Sequence, residues 1–232
     1  MSTFTVVSDI HGNYPALEAV LNDAPDTDGL ICLGDLIGLC GFPQEVVATL
    51  QSEATHCLQG NHDLAVIEWG EGHVNDEALS YFELEHTLEI LPHNEQMWVN
   101  DRPTYLELEE EGILAAHAQP TPELSSGFER GNAGVTTGDF VTVGARAPQW
   151  VDIMLLGHIH EQHAVDTSQF HGDHDVLVVN PGSVGQPLST GRAEYAIVDT
   201  DDRSVKLHSV EYDTDVVIDR LDELDVPKRW WG

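Results

Sequence analysis

The 232-residue chain predicts a layered α/β domain. Three observations carry that reading. Short apolar runs alternate with segments of helical periodicity through the first half. Strand-like runs dominate the second half, and no linker, internal repeat or low-complexity tract divides the two. The length suits one large domain or two small ones, and the unbroken pattern reads as a single domain over residues 1–232.

The elements follow in order. Phe4-Thr5-Val6-Val7 is a buried-strand candidate. Leu17, Val20, Leu21 and Ala24 then recur at helical spacing, with Asn13 as N-cap and Pro15 in the first turn. Leu30-Ile31-Cys32-Leu33 is the next strand, Val46, Val47 and Leu50 mark a helix after Pro43, and 55–58 is a short strand. A helical region over 75–91 carries Leu79, Phe82, Leu84, Leu88 and Leu91 and stops at Pro92. Strands are expected at 104–108, 112–116, 152–156, 161–166, 176–179, 194–199 and 204–211, and a last helix near 214–224. Residues 118–134, with Pro120, Pro122, Gly127, Gly131 and Gly134, read as a long functional or mobile loop.

Charge narrows the partners. Asp and Glu number 41 against 9 Lys and Arg, a formal net charge of −32. Only Lys206 and Lys228 are lysines. Such a chain lacks the basic face that binds nucleic acid or anionic membranes, so neither partner is expected. It is not a disordered composition either, because 41% of residues are hydrophobic and the acids are scattered. An acidic, lysine-poor surface is what hydrates a protein in molar salt, where the Debye length falls to roughly 3 Å and self-repulsion is screened. The composition therefore predicts a salt-accumulating halophile, an acidic mesophile surface being the plainer reading. No transmembrane run or signal peptide is seen. Cys32, Cys40 and Cys57 make no CxxC and read as reduced thiols of a cytoplasmic protein, with a Cys32–Cys57 or Cys40–Cys57 disulfide as the alternative.

Five segments share one layout, with Asp, His or Asn just after a strand candidate and mostly beside glycine. They are Ser8-Asp9-Ile10-His11-Gly12-Asn13, Gly34-Asp35-Leu36, Gly60-Asn61-His62-Asp63, Ala116-His117-Ala118 and Gly157-His158-Ile159-His160. Taken singly, each is an ordinary polar loop. Together they bring carboxylate, amide and imidazole groups to strand C-terminal ends, where open α/β sheets gather ligands. Those donors suit divalent metals of borderline softness, and the absence of cysteine argues against a structural zinc site. Enough donors are present for two metals that share a carboxylate, the usual device for in-line attack at phosphorus.

These segments resemble the calcineurin-like metallophosphoesterase superfamily, whose signature runs D-x-H, G-D, G-N-H-D, a lone H and G-H-x-H. Gly34-Asp35-Leu36-Ile37-Gly38 and the stretch from Asn180 to Pro187 are similar to its small archaeal and bacterial phosphodiesterase branch. The resemblance implies a four-layer αββα sandwich: two mixed β-sheets flanked by helices, with a dinuclear metal site at the strand C-terminal ends. It implies that Asp9, His11 and His160 bind one metal, that Asn61, His117 and His158 bind the other, and that Asp35 bridges them. Two divalent ions are implied, manganese first, with nickel, iron, cobalt or zinc as alternatives. They would activate a water against a small phosphate-ester substrate. His62 would neutralise phosphoryl oxygens and protonate the leaving group. Asp63 would either orient His62 or serve as a helix-start carboxylate. The Asn180–Pro187 loop would shape the site or be a plain strand-to-strand turn.

Some residues depart from the family or stand outside its pattern. Gly38 and Leu39 stand where the protein-phosphatase branch has an acid and a phosphate-binding arginine, which counts against phosphoprotein substrates. His117 is followed by Ala118-Gln119-Pro120 rather than Gly-Ser-Pro. His163, His171 and His174 read as surface histidines. Trp230 and Trp231 read as packing on the body or on a partner, which leaves a homo-oligomer open. The expected activity is a metal-dependent phosphoesterase, a phosphodiesterase first and a phosphomonoesterase second. The alternatives are a non-catalytic scaffold of the same fold, disfavoured by the intact His62, and a nuclease or nucleotide phosphatase.

Overall fold

The computed structural model describes residues 2–70, 72, 84–118, 142, 144–170, 174–186 and 191–226. In chain order these form β1 (Thr3–Val7), α1 (Tyr14–Asp23), β2 (Gly29–Cys32), α2 (Pro43–Glu53), β3 (Ala54–Cys57) and α3 (Asn61–Gly70). Next come α4 (Leu84–Ile90), α5 (His93–Asn100), β4 (Tyr105–Leu108), β5 (Ile113–Ala116), β6 (Ile153–Leu156) and β7 (Gln162–Asp166). After a 3₁₀ turn at Thr167–Phe170 follow β8 (Leu177–Pro181), β9 (Ala193–Asp199), β10 (Ser204–Val210) and α6 (Thr214–Glu223).

The strands make two five-stranded mixed sheets, ordered β10-β9-β1-β2-β3 and β4-β5-β6-β8-β7. In the first, β1, β2 and β3 are parallel, and β9 returns antiparallel beside β1. In the second, β5, β6 and β8 are parallel, with β4 and β7 antiparallel at the edges. The two-residue period of each strand divides its side chains between two cores. Phe4, Val6, Ile31, Leu33, Ile113, Ile153, Leu155, Val179 and Val198 fill the space between the sheets. Val7, Leu30 and Cys32 point the other way, onto Leu17, Val20, Val46, Val47 and Leu50 of α1 and α2. The outer face of the second sheet carries Leu114, Ala116, Met154, Leu156 and Val178, with Trp150 and Ile159 packed on it. This is the α/β sandwich of two mixed sheets with flanking helices expected from the motifs.

Local chemistry explains the helix starts. Asn13 caps α1 by accepting from Ala16 N at 3.2 Å, with a proline in the first turn. Asp213 caps α6 by accepting from Asp215 N at 3.1 Å. The expected strands all form, with ends shifted by a residue or two. α3 was expected only as a helix start at Asp63, and α5 was not anticipated. α3 starts inside the Gly60-Asn61-His62-Asp63 motif, so its first turn carries polar residues instead of an apolar stripe. α5 buries only Val99, which leaves no apolar period to read. α4 is the described end of the helical region expected over 75–91, and residues 75–83 lie outside the described residues.

The same holds for residues 119–134 of the expected loop, for His171 and Pro187, and for Trp230 and Trp231. All three cysteines are free and buried, as the reduced reading requires. Among the described residues, no helix is long and apolar enough to cross a membrane.

Candidate metal centre

The parallel strands of both sheets end on the same side. β1 leads into Asp9 and His11, β2 into Asp35, β3 into Asn61 and His62, β5 into His117, and β6 into His158 and His160. The two sheets thus aim five loops at one place, and all seven metal-ligand candidates meet there.

The backbone is shaped for it. Asp9, His11, Asp35, His158 and His160 all have positive φ, between 52° and 72°. A non-glycine residue in this left-handed region costs on the order of 1–3 kcal/mol, and such strain gathers at functional sites. Hydrogen bonds between loops hold it in place: Asp9 N donates to Gly34 O at 3.0 Å, His11 N to Asp35 O at 2.9 Å, and Gly185 N to Asp9 O at 3.0 Å. Gly60 has to be glycine for a related reason. A Cβ there would run into the Asp35 backbone nitrogen and stand 2.8 Å from its Cγ.

The donor atoms converge in two sets. His160 Nε2 lies 3.1 Å from both Asp9 Oδ1 and His11 Nε2. On the other side, Asn61 Oδ1 lies 3.0 Å from His117 Nε2 and 2.8 Å from His158 Nδ1. Asp35 Oδ2 sits between the sets, 3.3 Å from His117 Nε2 and 3.9 Å from His11 Nε2. Its Oδ1 is taken by the backbone N–H of His62 at 2.8 Å, which leaves Oδ2 to face inward. Asp9 Oδ1 is fully buried and accepts no hydrogen bond, although three imidazole Nε2 atoms stand within 3.9 Å. A buried carboxylate oxygen ringed by imidazole nitrogens is what a divalent cation would satisfy. The residues fit the metals the resemblance implies.

Two ring orientations are set from behind. His160 Nδ1 lies 3.0 Å from Gln186 O, and His117 Nδ1 lies 3.2 Å from Leu33 O. A carbonyl can only accept, so in the neutral ring each Nδ1 holds the proton and each Nε2 can present a lone pair to a metal. Ser183 supports this bracket, donating Oγ–H to Asp9 O at 2.9 Å and accepting from Gln186 N at 2.7 Å. The 180–186 stretch is therefore part of the wall of the site and not a simple turn. Sequence reasoning had no signal for these supports beyond the glycines flanking Ser183.

Burial and mutual charge set the protonation states. Burial opposes ionisation of Asp35, but His117 and His62 outweigh it and hold the carboxyl well below its usual range. Asp9 is likewise lowered, against its burial, by His160 and His117. Burial pushes His11, His62 and His158 down. His117 goes the other way. Burial would lower it, yet the Asp35 and Asp9 carboxylates win and raise it to about 9.

His62 stands beside the centre, its ring centroid 4.5 Å from that of His11. Asp63 does something other than orient it. Asp63 Oδ2 accepts from Gly60 N at 2.8 Å, and Oδ1 accepts from Leu36 N at 2.9 Å and Ile37 N at 3.1 Å. These bonds match the helix-start reading and add a clamp between α3 and the loop that carries Asp35. Burial and the nearby Asp35 raise Asp63 to about 7, against the pull of its backbone donors. Of the other histidines, His174 is half-buried, with Nε2 donating to Val151 O at 2.6 Å, and His163 is half-buried on β7. Both are partly exposed, as the surface reading expected.

Comparison with known proteins agrees with this geometry. A family profile described as "Calcineurin-like phosphoesterase superfamily domain" matches residues 3–203. An uncharacterized protein of Methanocaldococcus jannaschii is 27% identical over 100% of this chain and 96% of its own length. A symmetrical bis(5'-nucleosyl)-tetraphosphatase of Salmonella paratyphi C is 30% identical over 53% of this chain and 45% of its own. The crystal structure of a metallophosphoesterase from Sphaerobacter thermophilus superposes with a TM-score of 0.79 at 24% identity, covering 98% of this chain and 95% of the other.

Two outcomes are expected. Asp63→Asn leaves one acceptor oxygen for three N–H donors, so the urea midpoint of the metal-free protein should fall by the equivalent of about 1–3 kcal/mol. An unchanged midpoint would remove the clamp. At pH 7 a divalent ion must displace the proton on His117, so Mn²⁺ affinity should rise with pH and level off above about 9. Calorimetric titrations in buffers of different ionisation enthalpy would count that proton, and an affinity that fell with pH would contradict the assignment.

Proposed function

The chain belongs to the calcineurin-like phosphoesterase superfamily, and from that membership we propose that it is a metal-dependent phosphodiesterase acting on small phosphate esters. The observation that carries the reading is the buried, unsatisfied Asp9 Oδ1 at the meeting point of two donor sets with Asp35 between them. Asp9, His11 and His160 would hold one divalent ion, Asn61, His117 and His158 the other, and Asp35 both, with manganese the first choice. Such a pair supplies Lewis-acid stabilisation of phosphoryl oxygens and a nucleophilic water at neutral pH.

The protein's own groups do the rest. Leu33 O and Gln186 O keep the protons of His117 and His160 on Nδ1, so both rings stay ligands. His62 is half-buried at the start of α3, next to the Asn61 ligand. Burial lowers its affinity for a proton, and an incoming phosphate anion restores it. His62 then donates a hydrogen bond to the phosphoryl oxygens and a proton to the departing alkoxide. Leu39, in the place of the protein-phosphatase arginine, packs into an apolar cluster with Val217 and Leu221 and offers no cation to a phosphopeptide.

The likeness to the Salmonella tetraphosphatase places dinucleoside polyphosphates on the substrate panel with aryl diesters, cyclic nucleotides, nucleoside monophosphates and phosphopeptides. The net charge of −32 supports a protein adapted to a salt-rich cytoplasm.

Metal-stripped protein reloaded with Mn²⁺ should hydrolyse bis-p-nitrophenyl phosphate in molar KCl. Silence with each of Mn²⁺, Ni²⁺, Co²⁺ and Zn²⁺ would defeat the proposal. His62→Ala should keep both metals and lose about 10²–10⁴-fold in kcat; if metal analysis showed ions missing, His62 would be a ligand instead. Activity and melting temperature should both fall as KCl is lowered from about 1 M to about 0.1 M, where the Debye length grows to roughly 10 Å. Full activity and stability at low salt would overturn the halophilic reading and leave the metal centre untouched.

A further inference from the structure

We infer that the C-terminal segment from Tyr212 through α6 positions His11 of the metal centre, with Arg220 as the key positioning residue. The inference rests on the metal-centre reading above. It concerns a part of the chain beyond residues 3–203, where the family profile ends.

His11 and Gly12 lie in the left-handed region, with φ of 52° and 70°. Part of what holds them there is the turn 38–42. Cys40 N donates to His11 O at 2.9 Å, and Phe42 N donates to Gly12 O at 3.0 Å. The turn is itself irregular, with Gly38 at φ 93° and Leu39 at φ 52°. Its N–H groups face the metal loop, so its shape depends on what backs its other side.

That backing is α6. Leu39 and Cys40 pack in one buried cluster with Val217, Leu221 and Val226, and Phe42, Tyr212 and Leu224 close its edge. Arg220 donates from Nε to Gly41 O at 3.1 Å, and its guanidinium lies 5.8 Å from the centre of the Phe42 ring. Gly41 makes room for this contact. A Cβ there would stand 2.6 Å from Arg220 Cγ and 2.7 Å from Leu224 Cδ1. A second tie runs from the same segment, where Tyr212 Oη accepts from Asn13 Nδ2 at 3.2 Å. Asn13 Nδ2 also reaches Gly185 O at 3.1 Å, so Tyr212 joins a hydrogen-bond group that links the His11 loop to the Ser183–Gln186 wall.

The brace acts on one side of the centre. Asp35 accepts from His11 N through its carbonyl, but it also has anchors of its own in the end of β2 and in the clamp from Asp63 to Leu36 and Ile37. Asn61, His117 and His158 have no hydrogen bond to the C-terminal segment among the described residues. Loosening α6 should therefore weaken the set of Asp9, His11 and His160 and spare the other. A helix that only contributed stability would weaken both alike.

The test is stepwise calorimetric titration of metal-stripped full-length protein with Mn²⁺, run beside melting curves. The parent should take up two ions per chain. In Arg220→Ala one of the two binding steps should weaken about 10-fold, the low end of what indirect ligand supports contribute, while the other keeps its affinity. Arg220→Lys keeps the positive charge but not the Nε donor and should behave like Arg220→Ala. Tyr212→Phe is mild enough to leave folding intact and should weaken the same step to a smaller extent. Should Arg220→Ala fail to fold, the other two variants decide. Parent-like affinity at both steps in the folded variants would overturn the brace and leave the metal centre standing. So would equal weakening of both steps in parallel with the melting temperature. A parent that takes up no Mn²⁺ would defeat the metal-centre reading, and the brace with it.

Discussion

Two carboxylates, Asp9 and Asp35, are buried almost completely and within reach of the same imidazole nitrogens. Their charge cannot be left unpaired in such a place, because ionised groups out of water must be matched or must give up their charge. Much of the rest of the molecule can be understood from that requirement. Without metal, His117 and His160 answer it by holding protons more tightly than usual. A pair of divalent ions would answer it more completely, because an ion can bind a carboxylate oxygen and the surrounding imidazole nitrogens at once.

Keeping these groups together requires backbone shapes that isolated loops do not adopt. Five of the site residues have left-handed φ values, and each sits just beyond a strand in the middle part of its sheet. The strands provide rigid anchor points, and the loops then tie to one another. Asp9 bonds to Gly34 and Gly185, and His11 to Asp35 and Cys40. The strain is thus borne by two packed sheets and their shared core of Val6, Ile31, Leu33, Ile153 and Val179. The lack of a Cβ at the closest approaches, Gly34, Gly60 and Gly185, allows the loops to meet.

The acidic surface and the site solve separate problems. Acids are scattered along the chain, while the two carboxylates of the site are neutralised locally. A phosphate ester would have to cross that acidic surface to reach the centre, and salt screening would ease its passage. Arg220, one of the few basic residues, is used internally. It is partly covered, and it donates to Gly41 and pairs with Glu223 at 3.2 Å.

Much of this was legible in the order of residues. Periodicity located the strands because burial between layers imposes a period that apolar residues must follow, and the ligand types stood out because few side chains bind divalent metals. Of α3 only the start at Asp63 was legible, since its first turn is polar, and α5 was not, since it buries a single residue. Asp63 shows the limit most clearly. In sequence it is a carboxylate beside the histidine proposed as proton donor, and only the fold brings Leu36 N and Ile37 N to it from 27 and 26 residues away. The same is true of Arg220 and Gly41, 179 residues apart. Local pattern reports which groups are available and which face of an element is buried. Which groups meet, and in which protonation state, depends on long-range packing and on the field of neighbours that are distant in the chain, and the tertiary structure alone decides it.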